Sequence, residues 1–363
     1  MTIQLAQELV DAIVDYLKAD YGSLRAGSLV ARAWVPRCRF HLFKTCLLNS
    51  TNIPVFCELL RSPNCTFLQH VCSVDAARTD SHQNSLYFDE IAPDLRHLAH
   101  VRTLTYHMVV RRPENADDFF RRGFVAAFPH ITHLDLICEC PSWPAPLIEM
   151  VCLFPALQIL RITSISSALA DPPASASPPR GLKSLRLSRG ALGPIFTWLQ
   201  AFDHSVDSLV LPLPRPSDAP VVRAVLQRLG DGLHHLSMVL NWSRPRSEVE
   251  PSAVFDFALH PNLGTLAIHD VSWAQSPEHF DPNRMVHFLM RLAAPTLESL
   301  SLNIPLYLYR NLDWAPLDAF LSSARFPRLR QVTFSMSCDR DDIKFLREAM
   351  PTLQTLGVLA MKS

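Results

Sequence analysis

A few His and Cys residues stand close enough together to suggest metal chemistry. The nearest to ligand pairs are His97 with His100, Cys138 with Cys140, and His234 with His235. None of these pairs is followed by further ligands at the spacing of a structural zinc site. The chain also contains no G-x-x-x-x-G-K-[ST], H-E-x-x-H or G-x-S-x-G motif. We therefore expect no catalytic residue, no metal, no cofactor and no enzymatic activity.

Composition limits the classes of partner. Lys plus Arg equals Asp plus Glu at 34 each, so the formal net charge is zero and a general nucleic-acid binder is not expected. The nine Cys form no CxxC pair, which is typical of buried thiols in a reducing compartment. Glu8 and Asp11 lie where a secretory signal would be apolar, and no apolar run is long enough to span a membrane. We expect a cytoplasmic or nuclear protein without membrane partners.

The strongest sequence signal is a repeated Leu-x-Leu pattern. Ten copies follow one another at intervals of 24 to 34 residues. They are Leu104–Tyr106, Leu134–Leu136, Leu160–Ile162, Leu185–Leu187, Leu209–Leu211, Leu236–Met238, Leu266–Ile268, Leu300–Leu302, Val332–Phe334 and Leu356–Val358. Similar lead-ins containing Pro precede several of them: Phe154–Leu157, His260–Leu263, Ala294–Leu297, Phe326–Leu329 and Met350–Leu353. An earlier, weaker copy is Val71–Ser73. Alternation with period two predicts that each copy is a short strand with one buried face.

Helical segments between the strands complete the predicted fold. Strand, crossover helix and parallel strand, repeated about ten times, predict an α/β fold: an irregular right-handed βα solenoid with a curved parallel sheet over residues 46–363. Strands would line the concave side. Side chains that flank the buried leucines would point out from this side, and we expect them to bind a target protein through His133, Asp135, Arg161, Arg186, His235 and His269. Arg161 and Arg186 would lie side by side, roughly 5 Å apart. An ordinary hydrated sheet surface is the alternative interpretation.

The first 45 residues have a helical period instead. Leu9, Ile13 and Leu17 recur every four residues beside Val10 and Val14, which predicts an amphipathic helix. A break at Tyr21–Ser23 follows, with Ser23 as the expected cap of a second helix, and Pro36 can open a third. Three short helices bury little surface among themselves, so we expect a partner to cover the remainder.

These residues also carry a family resemblance. Leu5-Ala-Gln-Glu-Leu9 with Ile13, Leu17, Leu24 and Val30, then Ser28-Leu-Val-Ala-Arg-Ala-Trp34 and His41-Leu-Phe43, resemble an F-box over residues 1–45. The repeats after it resemble those of fungal-type F-box/leucine-rich-repeat proteins. One departure is Ala6, where the family usually has Pro.

The resemblance implies a substrate-recognition subunit of a Skp–cullin–F-box ubiquitin ligase. The first module would bind a Skp-type adaptor, and through it a cullin, while the repeats bind an unknown protein substrate. The implied adaptor contacts are Leu5, Leu9, Ile13, Leu17, Leu24, Val30 and Trp34. The alternative is a leucine-rich-repeat scaffold whose N-terminal helices only cap the array and which has no ubiquitin-ligase role.

Overall fold

A computed structural model describes residues 5–79, 82–109, 124–139, 147–163, 176–202, 205–242, 250–272, 280–335 and 340–362. In these residues the fold is α/β, with twelve strands that are all parallel. The chain divides into two compact units, Met1–Gly181 and Leu182–Ser363. The predicted boundary at residue 45 does not coincide with this division, and it stays a prediction.

The first unit contains five strands, which pair in chain order. Its elements are α1 (Gln7–Tyr16), α2 (Tyr21–Val30), α3 (Val35–Phe43), β1 (Thr45–Leu48), α4 (Ile53–Arg61), β2 (Ser73–Thr79), α5 (His82–Leu95), β3 (Thr103–Val109), β4 (His133–Glu139), α6 (Leu147–Cys152) and β5 (Ile159–Thr163), with 3-10 turns at Leu68–His70 and Val125–Ala127.

The second unit contains seven strands, also paired in chain order. Its elements are β6 (Ser184–Arg186), α7 (Leu192–Gln200), β7 (Ser208–Leu211), α8 (Ala219–Leu229), β8 (His235–Leu240), α9 (Pro251–Val254), β9 (Thr265–Asp270), α10 (Asn283–Leu289), β10 (Ser299–Asn303), α11 (Ala315–Leu321), β11 (Gln331–Ser335), α12 (Arg340–Ala349), α13 (Pro351–Thr355) and β12 (Leu359–Lys362).

The Leu-x-Leu copies form the core of both units. Each of the first nine copies lies in a strand or at its end, and both of its apolar side chains are buried. In the ladder these side chains follow one another in register, as at Leu236, Leu266 and Leu300. Stacking of identical positions continues one apolar layer from repeat to repeat, because a repeat cannot bury its own strand face alone. The predicted repeat pattern is confirmed for these nine copies.

The two ends of the sheet depart from the prediction. The tenth copy is not a strand: Leu356 is exposed in a turn, and β12 begins three residues later at Leu359. The short helix α13 and Gly357, whose φ is +69°, delay the chain's return to extended backbone. The early copy at Val71 is also displaced, since the buried pair of β2 is Val74 and Ala76. Strand β1 was not predicted at all.

Candidate functional site

The helical module, defined as α1 to α3, has a small core that its own helices complete. Val10, Val14, Leu24 and Cys38 are buried together, and Leu17, Trp34 and Leu42 pack against them. At Gly27 the two later helices approach so closely that an added Cβ would lie 3.2 Å from the Cys38 sulfur. The buried side of α1 is therefore the Val10–Val14 side.

The N-cap of α2 is Asp20, not the expected Ser23, because the Asp20 carboxylate accepts a hydrogen bond from the Ser23 backbone N–H.

The neighbouring side of α1 is apolar as well. The α1 stripe consists of Leu9, Ile13 and Tyr16, spaced at helical intervals on α1, and of Leu5 just before the helix; all four side chains are exposed. Leu9 is 56% exposed and Ile13 is 41% exposed. Successive residues on a helix are about 100° apart, so Leu9 and Ile13 turn away when Val10 and Val14 face the core. The structure thus places three of the predicted adaptor contacts on an accessible surface.

The other predicted contacts divide between core and surface. Val30, at the end of α2, is 69% exposed, whereas Leu17 and Trp34 are partly buried against the core. Leu24 is fully buried, which corrects the expectation that it leaves apolar surface uncovered. It lies between α1 and α3 and supports the module from within. Leu29 was not among the predicted contacts, yet it is 87% exposed. Helical geometry points to it, since Leu29 lies roughly 140° around α2 from Leu24.

An ionic cluster fastens α1 to α3. The Arg37 guanidinium donates to both carboxylate oxygens of Asp15, at 2.5 and 2.6 Å, and His41 Nε2 lies 2.7 Å from Asp15 Oδ1. These hydrogen bonds, first from Arg37 and then from His41, hold the pKa of Asp15 well below its usual range. The bidentate pair fixes the angle between the two helices, and with it the orientation of the α1 stripe.

The helical module is also joined to the sheet of the first unit without an intervening flexible segment. Only Lys44 separates α3 from β1, and its carbonyl accepts hydrogen bonds from Cys72 and Ser73. Phe43 stacks on Phe67 with ring centroids 5.0 Å apart, and Arg39 Nη1 donates to Thr66 Oγ1 at 3.1 Å. The module is consequently held on the first unit by backbone, aromatic and polar contacts together.

The exposed side of the first sheet, which we call the first outer face, carries charges of both signs. Asp75 Oδ1 lies 3.4 Å from His107 Nε2. Asp135 is in register with Arg161 on the next strand and accepts a weak hydrogen bond from Thr163. His133 is half-buried on the same face. The predicted residues Asp135 and Arg161 are thus neighbours of opposite charge, and His133 lies on the same face.

The second outer face, on strands β6 to β11, has a different character. Arg186 and His235 are exposed and His269 is half-buried. Burial, and then the nearby charge of Arg186, lowers the pKa of His269, and Asn303 Nδ2 lies 3.3 Å from its Nδ1. The remaining outward side chains of these strands are hydroxyl, amide or small apolar groups, and none is a carboxylate. Its titratable groups are therefore basic.

The predicted pairing of Arg161 with Arg186 stays a prediction. Arg161 lies on β5 in the first unit and Arg186 on β6 in the second, and each is exposed within its own unit.

The His and Cys pairs first considered as metal ligands make ordinary local contacts or lie in the core. His97 Nδ1 lies 2.9 Å from the Asp94 carbonyl, and His234 Nδ1 lies 2.8 Å from the Gly232 carbonyl. Cys138 is buried, as the strand alternation predicted, while Cys140 lies outside the described residues. Within the described ranges, no three His, Cys, Asp or Glu side chains are grouped so that they could hold a metal ion. In the same part of the chain, no helix has the length and apolar character needed to cross a membrane.

Comparison with known proteins adds no identification. No family model matches the chain, and no curated protein matches it.

Proposed function

We propose that this chain is the substrate-recognition subunit of a Skp–cullin–F-box ubiquitin ligase. The helical module would bind a Skp-type adaptor, and the two outer faces would bind the target protein. The observation that carries the proposal is the α1 stripe: its four apolar side chains are exposed although the core beneath them is already complete. In this role the chain holds two proteins and performs no catalytic step itself.

The α1 stripe has the features of a helix-packing interface. Leu9 and Ile13 lie one turn apart on α1, which gives a ridge that a partner helix can pack against, and the exposed Leu5 precedes the helix. Contiguous exposed apolar surface of this kind usually marks a protein interface. A few side chains near the centre of such a contact usually carry much of its affinity. Leu29 and Val30 add exposed apolar groups at the end of α2.

The rigid connection to the sheet also fits this function. A ligase subunit has to present its target at a defined position relative to the adaptor. The stacking of Phe43 on Phe67 and the Lys44 carbonyl bonds hold the helical module on the first unit. The buried free thiols Cys38 and Cys46 suit the cytoplasm or nucleus, where thiols stay reduced.

The same connection favours a second candidate. Helices packed on the first strand of a repeat array also serve as its cap, because terminal repeats need a covered end. In this alternative the chain is a leucine-rich-repeat scaffold with a helical N-terminal cap and no adaptor. The two functions differ in one measurable property, which is adaptor binding.

The test uses purified full-length chain and a Skp-type adaptor in isothermal titration calorimetry. Leu9→Asp and Leu29→Asp each bury a charge in the proposed interface and should abolish measurable binding. Val55→Asp is the matched control, since Val55 is an exposed apolar residue on α4, outside the helical module. Its binding should equal that of the unchanged chain. Absence of adaptor binding by the folded, unchanged chain would favour the scaffold.

A further inference from the structure

A pocket of about 210 Å³ opens in the first unit, between the segment that leads into β3 and the segment that leads into β4. Its apolar lining comes from Leu98 and Val101 on one side and from Ala127 and Phe128 on the other. All four side chains are buried in the unit. The pocket is open to solvent on one side, so a bound group can continue beyond it.

Basic side chains stand at the entrance. Arg96 and His130 both line the pocket, and both side chains are exposed to solvent. In the part of the chain that the structure describes, neither side chain makes a hydrogen bond or an ion pair. The carboxylate in the same turn, Asp94, is already held by Arg61, whose Nη2 lies 2.7 Å away. Arg102 donates to the carbonyls of Ala99 and Val101.

The pocket therefore combines an apolar cavity with a guanidinium and an imidazole that have no partner among the described residues. Its volume exceeds the roughly 150 Å³ of an engineered apolar cavity that binds benzene, so one phenylalanine or leucine side chain fits. A guanidinium at the entrance suits a carboxylate, which it can bind with two parallel hydrogen bonds.

We infer that this pocket binds the carboxyl-terminal residue of a partner protein, with an aromatic or branched aliphatic side chain in the cavity and the terminal carboxylate at Arg96. A chain terminus fits better than a small free acid, because the open side leaves room for the preceding residues. Capture of a terminal carboxylate is a recurring mode of peptide recognition. The inference is independent of the proposed adaptor function.

The test measures fluorescence anisotropy with full-length protein and the labelled peptide Gly-Gly-Gly-Phe. The free-acid peptide should bind at least tenfold more tightly than the same peptide with an amidated terminus. Arg96→Gln should weaken the free acid at least fivefold and leave the amide unchanged. Ala99→Leu, at an exposed position in the lining, should weaken both peptides by filling the cavity.

Arg223→Gln is the matched control, because it removes an equal charge from an exposed position on α8. Its affinity should stay within twofold of the unchanged chain. Thermal unfolding of each variant verifies that it is folded. Equal affinity for acid and amide, or an equal loss in Arg223→Gln, would overturn the inference. So would equally tight binding of N-acetyl-phenylalanine, since that would indicate a site for small acids. The adaptor titration of Val55→Asp and Leu9→Asp does not depend on any of these outcomes.

Discussion

If the adaptor covers the helical module, the cost of truncating each contact should follow its exposed area. Complete burial of a Leu or Ile side chain contributes about 1.5–3 kcal/mol. Leu29 is 87% exposed, Leu9 56% and Ile13 41%, so these fractions of that energy remain available to a partner. For the three Ala variants this gives losses of roughly 1.3–2.6, 0.8–1.7 and 0.6–1.2 kcal/mol. Since 1.4 kcal/mol is tenfold in affinity, Leu29→Ala should weaken adaptor binding by roughly 8–70-fold and Ile13→Ala by only roughly 3–7-fold.

The assay is calorimetric titration of the adaptor into each variant, combined with urea unfolding. Substitutions in the core should lower stability, and those on the surface should weaken binding. Leu24→Ala removes a fully buried side chain, so it should lower the free energy of unfolding by about 2–5 kcal/mol. Leu9→Ala and Leu29→Ala should change stability by less than about 0.5 kcal/mol, as exposed positions do.

Two results would refute the reasoning. One is an order in which Ile13→Ala is the most damaging substitution and Leu29→Ala the least. The other is unchanged binding in all three surface variants while the Leu24→Ala variant, still folded at the assay temperature, no longer binds. In that case the adaptor would recognise some other surface of the module, and the exposed leucines would be incidental.

Three further predictions concern the second unit. Asp318 is buried and accepts hydrogen bonds from the backbone N–H groups of Thr352 and Leu353. Asp318→Asn should leave one of these donors without its acceptor and lower the free energy of unfolding by about 1–3 kcal/mol. Asp231→Asn, at an exposed position, should have no effect in the same urea titration. Burial raises the pKa of Asp270 despite hydrogen bonds from Ser272 and Tyr309. The contribution of Asp270 to stability is therefore complete below the ordinary carboxyl pKa and is lost as pH rises through the raised pKa. The free energy of unfolding of Asp270→Asn, relative to that of the unchanged chain, should therefore be higher at pH 7 than at pH 4. A pH-independent difference would contradict this assignment. The amides of β12, which lies last in strand order, should exchange faster than those of β10, and strong protection of β12 in a monomer would indicate that its outer edge is covered.

The sequence predicted the interior of the repeat array well. Each strand copy contributes two apolar residues to one layer, and this constraint recurs at Leu185, Leu209 and Leu236 whatever the intervening loop does. Period-two alternation therefore survives the variation in repeat length. It identified the buried face of nine strands and the outward direction of the residues between them.

The strands at the two ends of the repeat array were harder to predict, because the apolar alternation there is weaker than the local signals for a helix or turn. Thr45–Leu48 follows α3 directly and has no leading Leu-x-Leu copy, yet it becomes β1 through its ladder with β2. At the other end, Leu356 and Val358 imitate the repeat. Pro351 opens a short helix in their lead-in, so the last strand starts at Leu359. At both ends, pairing with a strand distant in sequence determines where the strand lies. Such pairing cannot be read from the pattern of a single sequence.

In the helical module, periodicity gave the helices but not which side each buries. Both Leu9–Ile13 and Val10–Val14 are apolar pairs at intervals of four residues, so either could face the core. The contacts of Leu24 and Cys38 settle the choice in favour of Val10 and Val14. The predicted adaptor set therefore mixed surface residues with core residues such as Leu24.

The pocket at Arg96 and His130 illustrates why sites between repeats are invisible to this kind of prediction. Its two halves are about one repeat apart in the chain, and each half resembles an ordinary lead-in. They meet because Thr103 and His133 are in register, which places the preceding segments side by side. His97 and His100 are close along the chain, and this spacing alone suggested a metal pair. The relevant neighbour of this segment is instead His130, which only the strand register brings to the same cavity. A cavity between adjacent repeats is lined by corresponding segments of both, so it can be sought by comparing residues one repeat apart.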